Sequence, residues 1–163
     1  MNTQELIVTT SPEPGNDPIY ENRQTTETDS NQPMIFSIHV ITAPYSHQST
    51  LTALRFCQAT LAAGHSIKRV FFSGDGVLVG TQLAVPPQDE ADLYREWQAL
   101  ASAHQVELVV CISACLRRGI INASEAERYE SPSHNLAEGF LLSGLGQLVE
   151  AGLESDRLVT FGA

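Results

Sequence analysis

Short, β-rich apolar runs alternate with amphipathic segments along residues 34–163, and this alternation constrains the fold more than any other feature of the chain. Between the runs, apolar residues recur every three or four positions, which is the spacing of a helix with one buried face. Strands that alternate with helices predict a mostly parallel sheet covered on both faces. Right-handed crossovers then bring the carboxyl ends of the strands to one edge. The predicted strands are residues 34–41, 68–72, 106–111 and 158–161.

The amphipathic segments predict five helices. Ser49 or Thr50 is expected to cap the first, which ends at Gly64 and carries Cys57 on its core-facing stripe as a structural residue. A second helix is expected after Asp89, with Leu93, Trp97 and Leu100 facing the core, and two short ones over residues 114–118 and over residues 124–128, the latter capped by Ser124. The last is expected from Ser133 or Asn135 to Gly152 and carries Leu136, Phe140, Leu141, Leu145 and Leu148.

Residues 1–33 differ in composition from the rest of the chain. They are polar and contain six acidic residues and one arginine. The net charge of this segment is therefore half of the formal net charge of −10 of the whole chain. Such a segment cannot bury enough apolar surface to offset the entropy of ordering, so it is predicted to be a disordered acidic tail before a single domain over residues 34–163. The acidic balance argues against direct nucleic-acid binding, which needs clustered Lys and Arg.

Cys111 is the candidate functional residue. It ends the apolar run 106–111 and comes just before the segment that contains Arg117 and Arg118. Reactive groups in open parallel sheets gather where strands end and helices begin, and free N–H groups there favour a thiolate. On position alone, a small apolar plug at the end of the strand is an equal alternative, because buried cysteine is ordinary.

The remaining candidates have plainer interpretations. Cys115 lies one helical turn after Cys111 and is interpreted as a core residue rather than a resolving thiol. The cysteine pattern gives no zinc spacing, and no metal or organic cofactor is expected. The Gly74–Gly76 segment is expected to form a tight turn rather than a phosphate cradle. His47 shares the predicted edge with Cys111, but no third group of a protease-like arrangement is visible.

Taken together, these residues resemble the DsrE/TusD sulfur-relay family over about residues 34–163. The resemblance rests on residues 36–45, 61–65, 70–72, 76–77, 82–83 and 97–98, on Cys111 with Leu116-Arg117-Arg118-Gly119, and on residues 133–136 and 139–146. It implies a flavodoxin-like open sheet with helices on both faces. The chain departs from the family pattern in its long acidic leader and in Cys115, where a small residue without a thiol is expected; these differences bear on partner choice more than on sulfur chemistry.

The resemblance also implies a function. Cys111 would accept sulfane sulfur as a persulfide from an upstream TusA-like carrier and pass it to a downstream TusE-like acceptor. The chain would assemble with two related small subunits, similar to TusB and TusC, in a heterohexamer that serves 2-thiolation of the tRNA wobble uridine. Close relatives serve dissimilatory sulfur oxidation, which is the alternative pathway.

Two other classes stay open: a non-catalytic assembly subunit, and a thiol-redox or metal-handling module that uses Cys111 and Cys115. The sequence contains no secretory signal and no apolar run long enough to span a membrane. With an odd number of cysteines, we expect reduced thiols and a cytoplasmic location without membrane association.

Overall fold

The computed structural model describes residues 32–162. The predicted disordered tail lies almost entirely outside these residues, so its disorder and the domain boundary near residue 33 stay predictions.

Five parallel strands form one open sheet. They are β1 (Ile35–Val40), β2 (Ser66–Phe72), β3 (Glu107–Cys111), β4 (Phe140–Ser143) and β5 (Arg157–Phe161). Their order across the sheet is β4-β3-β2-β1-β5, so the chain steps outward from β1 to β4 and then returns to the far side of β1. This confirms the predicted open parallel α/β architecture.

The helices that connect these strands are short to medium in length. They are α1 (Ser49–Ala62), α2 (Leu93–His104), α3 (Ile112–Leu116), α4 (Ala123–Arg128) and α5 (Gly146–Leu153), and a 3₁₀ helix spans Gly74–Gly80.

One face of the sheet is covered by α1 and α2 through aromatic contacts. Phe36 of β1 meets Phe56 of α1 edge-on at 5.9 Å between ring centroids, and Phe72 of β2 meets Trp97 of α2 at 5.3 Å. Trp97 is completely buried, which confirms its predicted place in the core. Aromatic pairs in this geometry add to the stabilisation gained from burial alone.

The opposite face is covered by α5, which lies across β1, β2 and β5. A buried arginine joins this helix to the sheet: the Arg69 guanidinium donates to Glu107 Oε2 at 2.6 Å, to Glu150 Oε2 at 2.8 Å and to the carbonyl of Gln147 at 2.8 Å. A buried charge requires such partners. The network therefore fixes α5 over the amino-terminal half of β2 and β3.

The prediction of one long helix from Ser133 or Asn135 to Gly152 is wrong. Residues 140–143 form β4, and only the last part of the segment is helical, as α5. Gly139 has a φ of +84°, which breaks any continuous helix. Asn135 instead holds the incoming loop, because its side chain accepts from Ile121 N and donates to the carbonyl of Gly119.

The predicted helix caps are also partly wrong. Gln48, without a side-chain cap bond, precedes α1, whereas the Ser49 and Thr50 hydroxyls donate to the carbonyls of Gly162 and Thr42. Asn122 rather than Ser124 caps α4, through a bond from Glu125 N.

The helix expected after Asp89 begins at Leu93, with Asp92 as its cap, and α3 begins at Ile112 instead of residue 114. Short polar residues next to one another compete for the cap, and the tertiary contacts of each decide which one takes it.

At Gly76 the backbone of the 3₁₀ helix closely approaches the carboxyl end of β1. Its N–H donates to the carbonyl of Ile41 at 2.8 Å, and a Cβ at this position would lie 2.5 Å from the carbonyl oxygen of Val40. We therefore expect Gly76→Ala to lower the free energy of unfolding by about 1–3 kcal/mol, measured by urea denaturation. Gly146→Ala is the matched control, because its Cβ would meet nothing within 4 Å. An unchanged midpoint for Gly76→Ala would contradict the close approach.

Candidate functional site

The carboxyl ends of the parallel strands meet at one edge, as the sequence predicts. There β1 leads into the loop that contains Tyr45 and His47, β2 into the 3₁₀ helix, and β3 directly into α3. The turn after β4 also lies at this edge, and the predicted helix over this segment did not place it there.

Cys111 lies at this edge on β3, between β4 and β2. It is the last residue of β3 and the residue immediately before α3, with an extended backbone at φ −64° and ψ 117°. Its neighbour on one side is Ser143, with which it pairs in the β3–β4 ladder. The residue is buried, with 6% of its surface exposed. The thiol is thus at the rim of the sheet but mostly covered in the isolated chain.

Ser73 lies on the other side of Cys111. It directly follows Phe72, which pairs with Val110, and its extended backbone (φ −136°, ψ 179°) continues the strand by one residue. Side chains alternate between the two faces along a strand. Ser73 and Cys111 therefore share the face of Phe71 and Val109, which is the face that α5 covers.

A histidine is hydrogen-bonded to this serine. His39 Nε2 lies 2.8 Å from Ser73 Oγ, and the His39 ring packs against Phe71 with 6.0 Å between centroids. Burial lowers the pKa of His39 from its ordinary value, so the neutral imidazole is favoured. The sequence alone offered no signal for this contact, because His39 is one of five histidines and lies 34 positions before Ser73.

The other two cysteines are buried more completely. Cys57 and Cys115 are both at 0% exposure, and burial raises the pKa of each thiol to about 12. At Cys115 the neighbouring Cys111 raises the pKa further, while Arg118 lowers it. The prediction that both are core residues is confirmed.

Arg118 takes part in a local ion pair. Its guanidinium donates to Asp75 Oδ1 at 2.8 and 2.6 Å and to the carbonyl of Ala114 at 3.0 Å. The contact ties α3 to the 3₁₀ helix. Arg117 is exposed and available to a partner.

Other candidates at the edge are not joined to Cys111. His47 is exposed and lines a groove with Tyr45, Leu51 and Glu90. The Tyr45 hydroxyl donates to the carbonyl of Ala91 and accepts from Leu93 N, which anchors this loop to the start of α2. The Gly74–Gly76 segment is the first turn of the 3₁₀ helix rather than an open cradle.

Two further findings concern residues 32–162. Nowhere in this part of the chain do three or more His, Cys, Asp or Glu side chains come together as a metal site. None of its helices combines the length and the apolar character that a bilayer span requires.

The fold described above is an open parallel α/β sheet, and comparison with known proteins agrees with it. Residues 34–161 match the DsrE/DsrF-like family. The sulfurtransferase TusD of Serratia proteamaculans is 50% identical over 123 residues, which are 75% of this chain and 95% of the relative. TusD of Klebsiella pneumoniae is 46% identical over 128 residues, covering 78% of this chain and all of the relative.

A DsrE protein of Allochromatium vinosum is 44% identical over 129 residues, which are 79% of this chain and 99% of the relative. The crystal structure of the YchN protein from E. coli has the same fold, with a TM-score of 0.62 at 20% identity over 80% of this chain and 100% of that one. The chain belongs to the DsrE/DsrF-like family. It is a sulfurtransferase, the enzyme class that its TusD relatives share.

The three cysteines are expected to differ sharply in reactivity. At pH 8, a thiol with a pKa of about 12 is only about one part in 10⁴ thiolate, and Cys57 and Cys115 are also closed to solvent. Iodoacetamide should therefore label Cys111 first in the native protein, as read by peptide mass spectrometry. Protein in denaturant, where all three should react, is the control; native labelling of Cys115 ahead of Cys111 would contradict this ranking.

Proposed function

We propose that Cys111 is the sulfur-carrying residue of this sulfurtransferase. The observation that carries the proposal is its place among the three cysteines: it alone lies at the carboxyl edge with part of its surface open, while Cys57 and Cys115 are enclosed and protonated at neutral pH. Protein thiols must reach each other to exchange sulfur, so the edge position favours Cys111.

The transfer consists of two displacements at sulfur. The Cys111 thiolate attacks the terminal sulfur of a donor persulfide, a new S–S bond forms, and the donor leaves as a thiolate. An acceptor thiolate then attacks the terminal sulfur of the Cys111 persulfide, which releases Cys111 as a thiolate. No net oxidation occurs and no cofactor is required.

The low exposure of Cys111 fits a relay that selects its partners. Small oxidants and reductants find little sulfur surface to attack, whereas a docking protein can displace the neighbouring turn. That turn contains Gly144, which has open space around it, and the exposed Leu145. We propose that donor binding opens the thiol at this turn.

The pathway that we propose is 2-thiolation of the tRNA wobble uridine, with a TusA-like donor and a TusE-like acceptor. Its support is the similarity of the chain to proteins named TusD along nearly their whole length. The similarity to a DsrE protein supports sulfur oxidation as the second candidate. Three free cysteines suit a reducing compartment, so we propose the cytoplasm.

Exposed apolar side chains on the outward side of α5 support assembly with related subunits. Leu145, Val149 and Leu153 recur every four residues along this helix and are 59%, 63% and 82% exposed. Leu141, 56% exposed, lies on the same face of the sheet at β4. Exposed apolar side chains grouped on one side of a protein are typical of an interface. We propose that it is covered by TusB- and TusC-like subunits in a heterohexamer.

The assignment of Cys111 predicts the outcome of sulfur loading. After incubation with a persulfide donor, intact-mass analysis should show a gain of one sulfur that a reductant removes. Cys111→Ser should abolish the gain because the acceptor atom is lost, whereas Cys115→Ser should retain it. Loading that survives Cys111→Ser would defeat the assignment.

The interface proposal predicts a position-specific effect of charge. Val149→Glu places a carboxylate in the middle of the exposed α5 stripe and should abolish co-purification with the two related subunits. Val85→Glu is the matched control, since Val85 is 88% exposed in the loop before α2 and lies outside the stripe. Equal loss of assembly in both variants, or in neither, would contradict the proposed interface.

A further inference from the structure

The hydroxyl of Ser73 is held in a fixed position at the edge of the sheet. Its backbone N–H donates to the carbonyl of Val40 at 2.9 Å, and its side-chain oxygen is 2.8 Å from His39 Nε2. Because the serine is bound at both its backbone and its side chain, the hydroxyl is oriented before any substrate arrives.

Cys111 lies between two hydroxyl-bearing residues. Ser143 pairs with it in the β3–β4 ladder, and Ser73 follows the last residue that pairs across β2 and β3. Neighbouring strands are about 4.8 Å apart, so both serines are side-by-side neighbours of the cysteine on the same face. The two sides differ in one respect, since only Ser73 has a histidine bonded to it.

We propose that His39, acting through the Ser73 hydroxyl, receives the proton of the Cys111 thiol and so generates the thiolate that accepts sulfur. His39 is thus a positioning residue for the chemistry, and the inference rests on the proposed role of Cys111. Within residues 32–162 no hydrogen bond joins the Cys111 sulfur to Ser73. The proposed path therefore requires the thiol to rotate about χ1 to a staggered position from which it donates to Ser73 Oγ.

The proton balance of the step is simple. The Cys111 S–H bond breaks as its proton bonds to Ser73 Oγ, and the original Ser73 proton moves to His39 Nε2. The product is a thiolate that accepts a hydrogen bond from Ser73, which in turn accepts one from the imidazolium. After the sulfur transfer, the imidazolium returns its proton by the same path or to solvent.

His39 is the neutral base of the site, and the charged groups around it are paired with one another. Burial lowers its pKa, so near neutral pH the ring is free to accept a proton. On the Cys111 side, Cys115 is protonated, and the Asp75 carboxylate of the 3₁₀ helix is paired with Arg118.

The other ionisable groups between α5 and the sheet belong to the Arg69 network and to the ion pair of Lys68 with Glu154. Glu107 of β3 and Glu150 of α5 are both paired with Arg69, toward the amino-terminal ends of the strands. The carboxylates on this side of the sheet, from α5, from β3 and from the 3₁₀ helix, are therefore each paired with an arginine or a lysine.

The test is the pH dependence of Cys111 alkylation by iodoacetamide, followed at the peptide level in the full chain. Ser73→Ala and His39→Gln should each slow alkylation at pH 7 about tenfold and move the inflection of the rate profile to higher pH, since one unit of pKa is a factor of ten. The double variant should be no slower than the slower single variant, because the two residues act as one path.

Ser143→Ala is the matched control, since it removes the hydroxyl on the opposite side of Cys111, where no histidine follows; its alkylation profile should match wild type. Should His39→Gln fail to fold by circular dichroism, Ser73→Ala decides alone, because Ser73 is half-exposed and ends a strand. Equal slowing by Ser73→Ala and Ser143→Ala, additive effects in the double variant, or an unchanged profile in Ser73→Ala would overturn the relay.

This measurement separates the inference from the function on which it rests. Alkylation needs no sulfur donor, so a normal profile in Ser73→Ala together with sulfur loading on Cys111 defeats the relay alone. Failure of Cys111 to load sulfur, together with the expected shift of the profile, defeats the proposed sulfur carrier and leaves the proton path standing.

Discussion

The pairing of β3 between β2 and β4 is the constraint on which the rest of the site depends. In-register parallel ladders on both sides hold Val110 opposite Phe72 and Cys111 opposite Ser143. Because every strand in the sheet runs in the same direction, this register also decides which loops surround the cysteine. A shift of one residue would turn the thiol to the other face, away from Ser73 and α5.

The position of Cys111 was predictable from the sequence for a physical reason. The run 106–111 is apolar throughout, as in a strand buried on both faces, and it stops at a cysteine before a basic segment. Alternation of strands and helices then places the carboxyl end of this strand at the shared edge without knowledge of any contact. The strands β1, β2, β3 and β5 and the buried state of Cys57, Trp97 and Cys115 follow from the same patterns.

The strand β4 was not predictable in this way. Without it, the position of Ser143 beside Cys111 was not predicted either. The four residues of β4 are too few to show a period of two, and Leu136, Phe140, Leu145 and Leu148 happen to fit helical spacing. The signal that was available in the sequence is Gly139, because glycine is unfavourable inside a helix and favours turns with a positive φ. In the structure its φ is indeed positive, which a continuous helix would not allow. The bond between His39 and Ser73 joins residues 34 positions apart, and such pairs depend on register that one sequence does not reveal.

The two helical layers that flank the sheet contact it in different ways. The aromatic pairs that Phe56 and Trp97 form with the sheet lie beneath α1 and α2. The Arg69 network joins α5 to the sheet, and Val149 and Leu153 lie on the outward side of this helix. Substitutions along the outward side of α5 can therefore alter which companion proteins bind while the packing beneath α1 and α2 is left intact. Such a division lets a protein acquire new partners without loss of its fold. The layer of α1 and α2 maintains the core, while the outward side of α5 is free to diverge in sequence.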